Sequence, residues 1–223
     1  MIRIIGGTFK GRRLKTFKPR KSPKGSIWGE EMPRRSPASP AKRGERGSPK
    51  AAVRFTADRV KEALFDILGQ RIVDASFLDL YAGSGSVGIE ALSRGARRVT
   101  FCEKDPGGID IIRHNLAKLK CQQRYEVYRG DAVELSERLK GHFDIAFLDP
   151  PYRDGKAIGK ILQIISRSGI LKEAGLVIAE HHKSTNLAEG IGRFALTRQA
   201  RYGDTVLSFY RQTTADVGFD KVL

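Results

Sequence analysis

The sequence predicts an α/β fold: a mostly parallel, seven-stranded Rossmann-like sheet that finishes in a C-terminal antiparallel hairpin, preceded by a small basic N-terminal β-hairpin. Three observations carry this prediction. Short apolar runs alternate with amphipathic stretches from Thr56 onward. A glycine loop, Gly83-Ser84-Gly85-Ser86-Val87-Gly88, follows the first run. The run Phe143-Asp144-Ile145-Ala146-Phe147-Leu148 stops at Asp149-Pro150-Pro151-Tyr152. Apolar residues without helical spacing, cut off by two prolines, read as a buried parallel strand entering a rigid loop. Open α/β sheets bind ligands at the carboxyl ends of their strands, so that loop is a candidate site.

Taken in order, residues 1–18 read as the basic hairpin, with Ile2, Ile4, Ile5 and Leu14 as apolar anchors and Gly6-Gly7 in the turn. Residues 19–51 are rich in Pro, Ser, Gly, Lys and Arg and are expected to be a disordered basic insert; Trp28 within it is a candidate base-stacking residue. The main domain is expected over 52–213, followed by a tail at 214–223. Thr56 is placed to cap a helix whose Val60, Ala63, Leu64, Ile67 and Leu68 follow helical spacing. Strands are then predicted at 77–80, 98–103, 124–129, 142–149 and 176–181, with helices at 87–94, 106–119, 132–139 and 155–166 between them. Segments 194–199 and 205–210 flank Arg201-Tyr202-Gly203-Asp204 as a hairpin.

The net charge is +16, and its distribution carries more information than its size. Residues 1–50 hold 15 Lys or Arg against 3 acids, leaving 26 against 22 for the rest of the chain. A basic arm beside a nearly balanced domain suits a polyanion, because Lys and Arg contacts to phosphates release counterions and dominate nucleic-acid affinity. No run of 18 apolar residues and no apolar signal core is present, so membrane insertion and secretion are not expected. Cys102 and Cys121 lack a metal-like spacing; Cys102 is expected in the core, and the reducing cytosol is the expected compartment. His181-His182 reads as a solvated strand end, and no metal site is expected.

Gly83, Gly85 and Gly88 satisfy G-x-G-x-x-G, and Glu103 lies 20 residues beyond Gly83, which taken literally is a dinucleotide fingerprint. Two carboxylates favour S-adenosylmethionine instead. Asp79, ending the strand before the loop, would repel a pyrophosphate but receive a cationic or amino-bearing ligand. Asp131, after the third strand, can accept from an adenine amino group, although it can also cap the next helix. Glu103 suits the ribose hydroxyls of either cofactor, and Gly83 and Gly85 let a ligand approach the main chain.

These features resemble class I S-adenosylmethionine-dependent methyltransferases that act on exocyclic amino groups of nucleic-acid bases. More closely, residues 3–14, Thr56–Phe65, Asp79–Ala96 and Phe147–Tyr152 resemble the RsmD family of bacterial small-subunit rRNA guanine-N2 methyltransferases. The likeness spans the chain except for roughly residues 19–51, and Arg54-Phe55-Thr56 stands where the family has Arg-Pro-Thr. The resemblance implies S-adenosylmethionine held by Asp79, Tyr81, Gly83, Ser84, Gly85, Glu103, Asp131 and Ala132. It implies ribosomal RNA or an assembling small subunit as partner, with Arg3, Lys10, Arg12, Arg13, Lys15, Arg54 and Arg59 on the RNA side. A monomer is expected.

At Asp149–Tyr152 the reading is chemical. A base amino group is a poor nucleophile because its lone pair is delocalised into the ring. Asp149 and the Pro150 carbonyl are placed to accept hydrogen bonds from it, and Tyr152 to stack on the base. The motif alone leaves guanine N2 and adenine N6 open. A nicotinamide-linked oxidoreductase, and a nucleic-acid-binding protein with a vestigial cofactor site, are the more distant alternatives.

Overall fold

The computed structural model describes residues 2–16, 49–122, 124–151 and 155–213, with backbone alone for 49–57 and 155. Most of the basic insert with Trp28, the 214–223 tail, Tyr152 and the Arg54 side chain lie outside the described residues.

Strands β1 (Ile2–Arg3) and β2 (Arg13–Leu14) pair antiparallel around a 3-10 turn at Gly7–Phe9. Helix α1 (Pro49–Leu68) leads to β3 (Ser76–Leu80), α2 (Ser86–Ser93), β4 (Arg98–Glu103), α3 (Pro106–Leu119), β5 (Arg124–Arg129), α4 (Ala132–Arg138), β6 (Phe143–Leu148) and α5 (Gly155–Ser168). The chain then runs through β7 (Leu171–His182), β8 (Gly190–Ile191), β9 (Phe194–Tyr202) and β10 (Thr205–Gln212). The main sheet has the order β5-β4-β3-β6-β7-β10-β9-β8, parallel from β5 to β7 and antiparallel beyond. It holds the seven expected strands and an additional two-residue strand, β8. The chain winds outward from β3 to β5 and then returns to the other side of β3 with β6. This topological switch between β3 and β6 opens a crevice at their carboxyl ends.

Alternation along the strands divides the core in two. Phe77, Phe101, Phe147 and Ile178 face α1, α2 and α3, whereas Leu78, Leu148 and Ala179 face α4 and α5. On α5, Ile158, Ile161, Leu162 and Ile165 follow helical spacing and are fully buried, each contributing roughly 1.5–3 kcal/mol of transfer free energy. Among the described residues no helix is long and apolar enough to cross a membrane.

Two local expectations are corrected. Thr56 lies inside α1, which already begins at Pro49, within the stretch expected to be insert. Pro suits the first turn, where its missing N–H costs nothing. His181 is not a solvated strand-end residue: it is buried, its Nε2 2.8 Å from Ser208 Oγ and its Nδ1 3.0 Å from the His182 carbonyl oxygen. That burial lowers its pKa.

The hairpin joins the first core through Ile4, Phe9 and Leu14. Its docking is polar as well as apolar. Buried Glu90 on α2 accepts from the N–H groups of Ile5 (2.8 Å) and Gly6 (2.7 Å) and pairs with Lys61 and Arg94. Gly7 adopts φ +73°, and a Cβ there would collide with the Ser93 carbonyl, so only glycine fits. Asn115 on α3 spans the junction: it accepts from the Lys15 N–H and donates to the Lys15 and Ser84 carbonyls, tying hairpin to glycine loop.

Candidate active site

The register of the parallel strands aligns the site. Leu80 pairs with Cys102 on one side and Leu148 on the other, and Leu148 pairs with Ala179. The residues that follow these in the chain therefore fall in one row: Glu103 and Glu180 on their strands, and Tyr81 and Asp149 just past the ends of β3 and β6. Glu103, Asp149 and Glu180 continue the face carrying Asp79, above the point where α2 begins, whereas Tyr81, turned by its positive φ, packs against the second core. With Asp131 beyond β5, every parallel strand ends in or beside a carboxylate.

Two clefts meet at Tyr81 and Asp149. One, of about 270 Å³, is lined by Tyr81, Cys102, Glu103, Gly130, Ala132 and Pro150 among others. The other, of about 240 Å³, lies under α1 and the hairpin and is lined by Ile2, Asp58, Lys61, Asp79, Phe147 and Glu180 among others. Carboxylates outnumber cations in the second cleft. Its Lys61 is already engaged by the Arg3 carbonyl at 2.7 Å and by Glu90.

The glycine loop is shaped by its neighbours. Asp79 Oδ2 accepts the Gly88 N–H at 2.9 Å, fixing the first turn of α2. Glu103 accepts the Gly83 N–H through Oε2 and the Asp105 N–H through Oε1. Gly83 has φ +56°, and a Cβ there would meet nothing nearer than the Tyr81 carbonyl at 4.0 Å, so the loop is uncrowded on its cleft side. Gly85 behaves otherwise. It is buried at φ +76° against Ile112, Ile89 and Phe101 and lines neither cleft, so its role is the turn rather than ligand approach. Gly88 lets α2 lie on β4, since a Cβ would strike Phe101. Tyr81 holds φ +69°, a strained backbone at the crevice.

Burial sets the charge states. Asp79, 2% exposed, has its pKa raised to about 7 by desolvation; the Gly88 hydrogen bond opposes this and the charges of Asp149 and Glu103 add to it. Asp149 is exposed at the cleft mouth but otherwise ringed by protein, and loss of solvation raises its carboxyl to about 7. Open water at the mouth tempers that rise without changing its direction. Glu180 is raised to about 8, first by desolvation and then by the charge of Asp149 beside it. Cys102 lies in the core, its thiol pushed above its usual range by burial.

Of the residues singled out from sequence, Asp79, Tyr81, Gly83, Ser84, Glu103, Ala132, Asp149 and Pro150 line the clefts. Asp131 lines neither; it caps α4, accepting the Val133 N–H at 2.9 Å. The basic side chains Arg3, Lys10, Arg12, Arg13, Lys15 and Arg59 are all exposed. Sequence reasoning missed Asp58 and Glu180. Among the described residues Asp58 Oδ1 is buried without a hydrogen-bond partner while its residue lines the cleft, an acceptor open to a ligand donor. The uncrowded Gly83 loop, the orphaned Asp58 oxygen and the surplus of carboxyls fit an amino- and sulfonium-bearing cofactor and disfavour a pyrophosphate.

Comparison with known proteins agrees with this geometry. The family model described as conserved hypothetical protein 95 matches residues 44–211. The Escherichia coli (strain K12) ribosomal RNA small subunit methyltransferase D is 31% identical over 211 residues, 95% of this chain and 90% of that protein. Its Haemophilus influenzae namesake is 38% identical over 138 residues, 60% of this chain and 71% of that protein. Among solved structures, the Escherichia coli protein yhhF superposes with TM-score 0.71 at 30% identity, covering 96% of this chain and 99% of that one. With three quarters of its length inside one family model and a relative that matches nearly end to end, the chain belongs to the conserved hypothetical protein 95 family, which is the RsmD family of methyltransferases.

Proposed function

We propose that this protein transfers a methyl group from S-adenosylmethionine to the exocyclic N2 of a guanine in small-subunit (16S) ribosomal RNA. The observation that carries the reading is the row Glu103, Tyr81, Asp149 and Glu180, which sets a cofactor-sized acidic crevice directly beside the Asp149-Pro150-Pro151 loop. The relatives named for ribosomal RNA of the small subunit support the substrate class. The guanine N2 assignment rests on the resemblance of residues 147–152 to the family motif.

When bound, S-adenosylmethionine supplies a methyl group on a positively charged sulfur. Asp58 and Asp79 offer carboxyl oxygens to its amino-bearing end, the Gly83 main chain borders it, and Glu103 retains lone pairs for a ribose diol. Asp149 and the Pro150 carbonyl accept hydrogen bonds from the base amino group and turn its lone pair toward the cofactor. Proline has no N–H to compete, and its fixed φ holds the acceptor in place. Asp149 also takes the proton that the nitrogen sheds once it is alkylated. Such positioning supplies on the order of 7–11 kcal/mol in favourable systems. Tyr152 is assigned to stacking on the base from its place in the motif.

The exposed Arg3, Lys10, Arg12, Arg13, Lys15 and Arg59, with Arg54, are assigned to RNA phosphates. Labelled S-adenosylmethionine, incubated with unmodified rRNA or small subunits and followed by digestion to nucleosides, is expected to give N2-methylguanosine. Label in N6-methyladenosine, or in no nucleoside, would overturn the assignment.

A further inference from the structure

Glu180 belongs to no motif and has no part in the chemistry above. It nevertheless stands next to Asp149 in the register row, on the side away from Asp79 and Glu103. The glycine loop, Asp79 and Glu103 hold the cofactor on the β3–β4 side of the crevice, with Asp58 reaching it from α1, so a base that brings its amino group to Asp149 lies toward β7, over Glu180. Neighbouring strands are about 4.8 Å apart, which sets the two carboxyls side by side along one edge of a planar ligand.

We propose that Glu180 is the specificity-determining residue of the site, its carboxylate accepting the N1–H of the target guanine while Asp149 accepts from the adjacent N2 amino group. This rests on the guanine reading above. Guanine presents two adjacent donors, N1–H and N2–H, to two adjacent acceptors. Adenine presents its amino group beside N1, which is an acceptor, and would set a lone pair against the Glu180 carboxylate. In the free chain, burial raises both carboxyls and the charge of Asp149 adds to the rise at Glu180. A cationic cofactor beside Asp149 favours the charged forms, so both carboxyls are acceptors when the base arrives. Among the described residues no hydrogen bond to protein engages the Glu180 carboxyl, and Lys61 in the same cleft is committed to Arg3 and Glu90.

The test uses 16S rRNA ligated so that the nucleotide methylated by the wild type carries either guanine or 2-aminopurine, offered both naked and assembled into subunits. 2-Aminopurine keeps the exocyclic 2-amino group but has an acceptor at N1. Wild-type kcat/KM is expected to fall at least about 100-fold on 2-aminopurine, as for sites that hydrogen-bond a substrate N–H. Glu180→Ala is expected to lower kcat/KM on guanine and to bring the two substrates within several-fold of each other. In Glu180→Gln, whose amide either accepts or donates, the preference is expected to narrow with activity better preserved. 2-Aminopurine also lacks the guanine O6, a loss that affects every variant alike, so the change in ratio isolates N1–H. Calorimetric binding of S-adenosylhomocysteine establishes that each variant is folded. The proposal is overturned if the wild type uses 2-aminopurine as well as guanine, or if both variants keep the wild-type ratio. Failure of the guanine reading shows itself separately, as absence of N2-methylguanosine from wild type on the unaltered RNA.

Discussion

Glu103 accepts the Gly83 N–H at 2.7 Å, so the acid that ends β4 holds open the loop that follows β3. Its other oxygen accepts the Asp105 N–H at 2.8 Å, and Asp105 in turn caps α3 through the Gly108 N–H. One carboxylate thus fixes both the glycine loop and the start of α3 before any ligand arrives. Glu103→Ala removes two charge-assisted bonds and a ligand acceptor. Each such bond is worth about 1.5–3 kcal/mol, so S-adenosylhomocysteine affinity is expected to fall by at least about 100-fold. Glu103→Gln is expected to fall nearly as far, because its amide nitrogen faces one of the two N–H donors. Affinity within threefold of wild type in isothermal titration would remove Glu103 from the cofactor site.

Asp79 trades stability for a charge under the cofactor. Its carboxyl titrates at about 7 in the folded chain, well above its ordinary value of 3.8. The folded state therefore holds that proton more tightly than the unfolded state. The resulting stability is whole below pH about 4 and is lost as pH rises through about 7. Asp79→Asn keeps an oxygen for the Gly88 N–H and never ionises. Relative to wild type, its Tm is expected to be higher at pH 8 than at pH 5, by about 2–4 °C for each kcal/mol relieved. S-adenosylhomocysteine binding is expected to weaken in the same variant. A Tm difference that does not change between the two pH values in scanning calorimetry would refute the account.

Asp149 must be ionised to take the proton that the methylated nitrogen sheds, and its pKa is raised to about 7. In the free enzyme, kcat/KM is expected to decline below about pH 7, approaching tenfold per unit. The midpoint belongs to the Asp149–Glu180 pair rather than to one residue. In kcat the limb is expected at lower pH, because a bound cation favours ionisation. Asp149→Asn is expected to lose at least about 100-fold in single-turnover rate while still binding S-adenosylhomocysteine, the scale on which acid–base groups contribute. A flat profile between pH 5.5 and 8 would rule out this role.

Glu90 sits fully buried between the hairpin and the domain, accepting two hairpin N–H groups and pairing with Lys61 and Arg94. Glu90→Ala leaves two N–H donors without their acceptor and strips Lys61 and Arg94 of their buried carboxylate, keeping only the Arg3 carbonyl and the exposed Asp66, and breaking a buried pair costs about 3–5 kcal/mol. The amides of Ile4 and Gly11, hydrogen-bonded across the hairpin, are expected to lose hydrogen-exchange protection before those of β3 and β6. RNA affinity is expected to fall further than cofactor affinity. Equal protection of hairpin and sheet would show that Glu90 does not clamp the hairpin.

The parts of the fold visible in sequence were those with local causes. Strand β4, helix α3 and strand β5 begin and end where period and punctuation place them, with Asp105 and Pro106 opening α3 as cap and first-turn residue. Helix α1 began early because Lys50-Ala51-Ala52 carries no apolar period, although nothing in it breaks a helix. Glycines could be recognised but not sorted: Gly83 opens to the cleft while Gly85 packs inward, a difference set by Ile112 and Phe101 from distant elements. Glu180 was invisible for the same reason. A lone acid at a strand end becomes part of a site only through the register that sets it beside Asp149.

The basic segment offers a prediction resting on charge alone. Arg34, Arg35, Lys42 and Arg43 lie in residues 19–51, which hold nine Lys or Arg against three acids. If these side chains meet RNA phosphates, each contact releases counterions and contributes about 0.7–0.9 to the slope of log affinity against log salt. Replacing all four by serine is then expected to lower that slope by up to about 3 and to weaken RNA binding most at low salt. S-adenosylhomocysteine affinity is expected to stay at the wild-type value, since the cofactor is assigned to Asp58, Asp79, Gly83 and Glu103. Filter binding across a salt series provides the measurement. A slope that does not move would place the phosphate contacts elsewhere, on the docked hairpin with its exposed Arg3, Arg12 and Arg13.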